Sequence, residues 1–242
     1  NGLLSALNWK LLRHICYISI LSVFVMASSH AAKPERIVIA LPNADYVQFA
    51  GYYIAKEKGF FIDAGLAVEL KVTTGDKNTS QQVIADVAQY GVGSSELLIA
   101  KAEGAPLTAL GAFFQHSPSA LISVKSKAVK RLQDLEKKRV ALMPNQQDIE
   151  IVAMLRKFNV HAININANIE QLDAQHLMNN QFDAFSMRLM RGTYGLVRQG
   201  LDPQVFIPRD YGIDFYSNYF FTASHRVNQQ TAQVDKILAA VV

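Results

Sequence analysis

The residues of this chain best suited to hold a ligand are aromatic and hydroxylic, not acid–base pairs. Tyr46, Phe49, Tyr52 and Tyr53 fall in one stretch of helical pattern. Spacings of three and four put Tyr46, Phe49 and Tyr53 on one face, which suits either a core stripe or a wall on which a flat ring can stack. Gly91-Val92-Gly93-Ser94-Ser95 reads as a tight turn at a strand end, presenting backbone N–H groups and two hydroxyls at a helix start. Such a turn can take a polar ligand, or its serines can cap the helix. Tyr211-Gly212-Ile213-Asp214-Phe215-Tyr216 places hydroxyls and a carboxylate, Asp214 and Tyr216 among them, in a connecting loop, where binding residues concentrate. The 6 histidines show no His-Glu-x-x-His spacing, and no Gly-x-Ser-x-Gly elbow or Walker-type loop is present. No catalytic residue, metal or cofactor is expected.

Short β-type runs alternate with longer helical patterns from Arg36 onward, which predicts mainly parallel α/β sheets covered by helices. Strands are expected over 37–41, 67–73, 90–93 and 107–114, the last as a buried strand, with helices over 46–59, 80–86 and 96–103. After Pro118 a second series follows: strands 120–124, 139–142, 162–165, 182–185 and 204–207, with helices 130–136, 147–158, 169–178 and 189–198 between them. Two series of this size predict two lobes, residues 32–122 with 209–242 and residues 123–208. Ligands bind outside the carboxyl ends of parallel strands, so the cleft between the lobes is the expected site.

Lys10 and Arg13 precede an uncharged apolar run from Ile15 to Ala27, and Ser29-His30-Ala31 places small residues where a signal peptidase reads them. Residues 1–31 therefore read as a secretory signal cleaved after Ala31, or as an uncleaved membrane anchor; both put the remainder outside the cytoplasm. Removing those two basic residues changes the net charge from +4 to (24 − 2) − 20 = +2. The basic stretch from Lys125 to Arg139 is diluted by Asp134 and Glu136 and reads as a solvated surface helix, not a nucleic-acid face. Cys16, the one cysteine, lies in the proposed signal, leaving no disulfide or thiol chemistry beyond it.

Four ordered motifs carry a family resemblance. They are Gln48 to Phe61 (with Gly65-Leu66), Tyr90 to Ser95, Phe114-Gln115-His116-Ser117-Pro118, and Tyr211 to Tyr216. In this order and spacing the chain resembles the type II periplasmic solute-binding proteins that carry thiamine pyrimidine precursors. The resemblance implies a two-lobed Venus-flytrap fold in which aromatic side chains sandwich a planar heterocycle and polar groups read its edge. It implies a cleft lined by Tyr46, Phe49, Ser94, Ser95, Gln115, His116, Asp214 and Tyr216. The partner it implies is an ABC transporter permease or, in sensor relatives, a fused transmembrane kinase or cyclase module. Enzymatic relatives that form pyrimidine from pyridoxal phosphate use a lysine, a histidine and a cysteine-rich motif; Gly91 to Leu98 holds neither of the first two, and no cysteine follows Cys16.

One departure from the family pattern bears on the ligand. Relatives follow an Asp-Ala pair with tyrosine and an Asn-Glu-Pro turn, whereas this chain has Asp183-Ala184 followed by Arg188 and Arg191-Gly192. A guanidinium at a helix start adds to the positive end of the dipole, so Arg188 is expected to meet an anionic ligand, or else both arginines point to solvent or pair with Asp183 or Asp210.

Overall fold

The computed structural model describes residues 33–42, 47–73, 78–143, 148–166 and 174–241. Among them ten strands form two five-stranded sheets, β2-β1-β3-β10-β4 and β7-β6-β8-β5-β9. The first sheet comprises β1 (Glu35–Leu41), β2 (Leu66–Val72), β3 (Tyr90–Gly93), β4 (Leu107–Phe114) and β10 (Ser217–Ala223). The second comprises β5 (Ser119–Val124), β6 (Arg139–Leu142), β7 (Ile163–Asn166), β8 (Ala184–Arg188) and β9 (Pro203–Phe206). Residues Arg36–Val242 form one compact unit that contains both sheets.

The sheets are mixed where mainly parallel ones are expected from the alternating pattern. β1 runs parallel to β3, and β6 parallel to β7 and β8, but β10 is antiparallel to β3 and β4, and β5 antiparallel to β8 and β9. The reason lies in the connectivity. β4 leaves the first sheet toward the second, and β5 enters the second sheet from that same end; β9 and β10 repeat the crossing in reverse. A strand arriving from the opposite lobe must run against the strands that point toward it. Both arriving strands lie between two neighbours, and every residue of β5 and of β10 is buried.

The crossing from lobe 1 to lobe 2 lies between Phe114 and Ser119, upstream of the expected boundary at 122/123, because β5 belongs wholly to the second sheet. β4 is an edge strand whose residues alternate between inward and more exposed positions, not the fully buried strand expected from its apolar run.

Each lobe has its own core. In lobe 1 Ile37, Ile39, Phe49, Phe61 and Phe220 pack with Val234, Ile237 and Ala240. The last three share one face of a helix at spacings of three. The Tyr90 and Phe220 rings stack at 5.4 Å, and the Tyr90 hydroxyl donates to Gln233 Oε1 at 2.8 Å. In lobe 2 Leu121, Leu132, Leu135, Val140, Ile151, Met154 and Phe206 form the corresponding cluster. Full burial of each such side chain stabilises by about 1.5–3 kcal/mol.

Two expected helices take tighter or shorter forms. Residues Val47–Phe49 make a 3-10 turn before α1 (Ala50–Glu57), which rotates the pattern: Phe49 and Tyr52 point into the core while Tyr53 is outward. The stretch expected as helix 130–136 is a 3-10 turn, Leu132–Leu135, that buries both leucines, so the basic residues around it do not sit on a surface helix. The helix expected over 169–178 is described over Ala174–Met178. The proposed signal, residues 1–31, lies outside the described residues. No helix among the described residues is long and apolar enough to cross a membrane.

Candidate functional site

The site is built where the two crossing segments meet the ends of β3 and β8. β3 ends in Gly93, and the chain turns through Ser94 and Ser95 into the helix Glu96–Ala102. The Ser94 N–H donates back to Glu96 Oε1 at 2.9 Å. A Cβ at Gly93 would stand 2.9 Å from Glu96 Oε1, so the carboxyl would have to shift to admit one. Ser95 occupies the N-cap position without making a capping bond; its hydroxyl instead donates to Glu150 Oε2 at 2.5 Å. Plain capping therefore does not account for Ser95, because the hydroxyl is directed across to the second lobe.

Lobe 2 supplies Asp148 and Glu150 from the start of the helix Ile149–Lys157, and Ser186 and Arg188 from β8. Glu150 Oε1 accepts from the Ser117 hydroxyl at 2.6 Å, and Ser117 lies in the first crossing segment. Asp148 accepts from the Ser186 hydroxyl at 2.7 Å and from the Met143 N–H. Arg188 donates through Nη1 to Ser217 Oγ and through Nη2 to Ser94 Oγ, both at 3.3 Å. The two serine hydroxyls stand 3.4 Å apart. Hydrogen bonds thus run between the lobes in both directions, Ser95 to Glu150 and Arg188 to Ser94 and Ser217.

The carboxyls and Ser95 are deeply buried, Glu150 and Ser95 being 1% exposed, Asp148 2% and Glu96 7%, while Ser94, Ser117 and Arg188 are half-buried. Burial pushes the Asp148 carboxyl up to about 7, with Glu150 adding to the rise and Ser186, the Met143 N–H and Arg188 opposing it. Burial likewise raises Glu96, against the pull of the Ser94 N–H and Arg188. Tyr219 on β10 belongs to the same field, since burial first and then Glu150, Tyr216 and Glu96 raise its phenol. One guanidinium therefore stands among three carboxyl groups. The pairing with Asp183 is not made: Asp183 accepts the Arg139 N–H at 2.9 Å.

The remaining expected site residues divide. Gln115, His116, Asp214 and Tyr216 lie on the two crossing segments, all exposed. His116 Nδ1 stands 3.0 and 2.9 Å from the Asp214 oxygens, and the Ser117 N–H donates to the Phe215 carbonyl at 2.7 Å, tying one crossing segment to the other. Phe49 is fully buried in the lobe 1 core, the core-stripe alternative of the two readings of its face. Tyr46 lies outside the described residues. Gly192, where relatives carry part of a polar turn, is a packing glycine: a Cβ there would stand 2.4 Å from Ile122 Cδ1.

Glu96, Ser117, Asp148, Glu150, Ser186, Ser217 and Tyr219 were not singled out from sequence. The available signal was the Asp148-x-Glu150 pair opening an apolar helix and the Glu directly after Ser94-Ser95, both of which also read as ordinary first-turn acids.

Solved structures with the same fold include a protein of Bordetella bronchiseptica (19% identity, TM-score 0.68, covering 87% of this chain and 70% of that one). Another is the periplasmic aliphatic sulphonate binding protein SsuA of Escherichia coli (14%, 0.68, 86% and 72%). A third is an ABC uptake transporter substrate binding protein of Streptococcus pneumoniae with bound histidine (16%, 0.59, 85% of each). No curated protein sequence matches the chain. The two mixed sheets covered by helices are thus the two-lobed α/β architecture of periplasmic binding proteins. With its match to the NMT1/THI5 like family running over residues 46–242, the chain belongs to that family.

Proposed function

We propose that this chain is an exported solute-binding protein that takes a small ligand in the seam between its lobes and delivers it to an ABC permease. The observation that carries the reading is the buried polar cluster assembled from both lobes beside the two crossing segments. Folding energy alone gives little reason to bury three carboxyls beside a half-buried guanidinium, since well-packed apolar residues of similar volume serve stability as well or better. A binding seam does give one, because placed donors and acceptors fix a ligand's orientation. The ligand class we assign is a planar heterocycle related to the thiamine pyrimidine precursors, supported by the family match and by Tyr216 and Tyr219 beside the cluster. The role is binding and not catalysis.

Calorimetric titration with thiamine pyrimidine precursors, an alkyl sulphonate and free histidine tests this. One-to-one binding of a pyrimidine at about micromolar dissociation constant or tighter is expected. Preference for the sulphonate or histidine would overturn the ligand class, and absence of binding to all three would count against the solute-binding role.

A further inference from the structure

Both oxygens of Glu150 are taken up within the protein. Oε2 accepts the Ser95 hydroxyl at 2.5 Å and Oε1 the Ser117 hydroxyl at 2.6 Å, and the residue is 1% exposed. The two serines come from different parts of the chain: Ser95 opens a lobe 1 helix, and Ser117 lies in the first crossing segment. Ser95 sits at an N-cap without capping, so its hydroxyl serves the other lobe in place of its own helix. Ser117 is held twice, since its N–H donates to the Phe215 carbonyl of the second crossing segment at 2.7 Å. The helix that carries Glu150 is fastened at its other end too. Lys157 Nζ donates to the Tyr211 and Gly212 carbonyls at 3.0 and 3.3 Å, and the Phe158 ring meets that of Tyr211 edge-on at 5.3 Å. One lobe 2 helix, Ile149–Lys157, therefore grips lobe 1 and the first crossing segment with its first turn and the second crossing segment with its last.

From these contacts, and resting on the solute-binding reading, we infer that Glu150 is a positioning residue: it latches lobe 1 onto lobe 2 in the closed form and touches no part of the ligand. A group that contacts the ligand tells one ligand from another. A latch changes only the balance between closed and open lobes, and so scales every affinity by the same factor. The ligand enters with the lobes apart, so loss of the latch leaves entry unchanged and speeds escape. Arg188 also bridges the lobes, but at 3.3 Å and from a half-buried side chain. The shorter and more deeply buried Ser95–Glu150 bond carries the larger share of closure.

Stopped-flow binding of two pyrimidines, 4-amino-5-hydroxymethyl-2-methylpyrimidine and 4-amino-5-aminomethyl-2-methylpyrimidine, to the parent, Ser95→Ala, Glu150→Gln and Glu150→Ala tests this. Ser95→Ala should release both ligands about tenfold faster, the effect of one buried acceptor left unmet, with the association rate and the preference between the two unchanged. Glu150→Ala should act at least as strongly, and adding Ser95→Ala to it should change little more. Glu150→Gln, whose amide can still bond both hydroxyls, should recover most of the loss. A changed preference between the ligands, or an unchanged dissociation rate in folded Glu150→Ala, would overturn the latch while leaving the solute-binding role standing. A second readout needs no ligand. Spin labels at Glu103→Cys and Gln199→Cys, exposed positions on the two lobes, measure lobe separation, and no native cysteine follows Cys16 to compete for label. Glu150→Ala should shift the distances toward wider separation, and identical distributions in parent and variant would overturn the inference. If neither pyrimidine binds the parent, the ligand class falls and the spin labels alone decide the latch.

Discussion

The seam cluster and the His116–Asp214 pair join the same parts of the molecule with similar chemistry, acids facing bases or hydroxyls, yet they sit in opposite environments. In the seam the carboxyls are almost wholly withdrawn from water, and two of them are raised by that burial. On the crossing segments, His116 and Asp214 keep 53% and 42% of their side-chain surface in solvent. Burial turns each seam group into a commitment: a charge there must be answered by a designed donor or by a ligand, or else take up a proton. Solvent relieves the exposed pair of that requirement, so it marks where the segments pass each other and adds little to holding them.

The sharpest way to break this contrast is pH. Asp148 has a folded-state value of about 7 against an ordinary 3.8, so the folded protein holds its proton more tightly than the unfolded chain. The favourable contribution is then complete below about pH 4 and is lost as pH rises toward 7, by about 4 kcal/mol at roughly 1.4 kcal/mol per unit. Asp148→Asn cannot titrate. The difference in unfolding free energy between parent and Asp148→Asn, followed by urea denaturation from pH 4 to pH 7.5, should therefore shift by about that amount in favour of the variant. A difference independent of pH would show that Asp148 is not held as the structure places it.

The smaller effect belongs to the exposed pair. A double-mutant cycle of His116→Ala and Asp214→Ala should return a coupling of about 0.5 kcal/mol, weakened by added salt. A salt-insensitive coupling of several kcal/mol would place the pair in the same class as the seam and erase the distinction.

Sequence and structure part ways along a physical line. The alternation of β-type and helical runs was enough for two α/β lobes, because hydrophobic period reports which face of each element is buried. The direction of β5 and β10 was not legible, since strand polarity follows from where the chain crosses and leaves no mark on the burial pattern. Gly93-Ser94-Ser95 was readable as a polar turn, yet the partner of Ser95 was not: Glu150 lies 55 residues away in the other lobe. Asp148 and Glu150 looked like acids favoured in any first helical turn. What makes them a site is the serines that reach them from other segments, and local patterns carry no record of that. Phe49 shows the converse case. A three-residue tight turn ahead of α1 shifted the helical phase and sent into the core a ring whose spacing also suited a stacking wall.

If the seam is a solute clamp, its lobes must part to admit the ligand and close on it, with the crossing segments as hinge. Small-angle scattering of the protein with and without a saturating thiamine pyrimidine precursor measures this directly. The account predicts a smaller radius of gyration on binding, as Ser95 to Glu150 and Arg188 to Ser94 and Ser217 come together around the ligand; an unchanged radius at demonstrated saturation would contradict it.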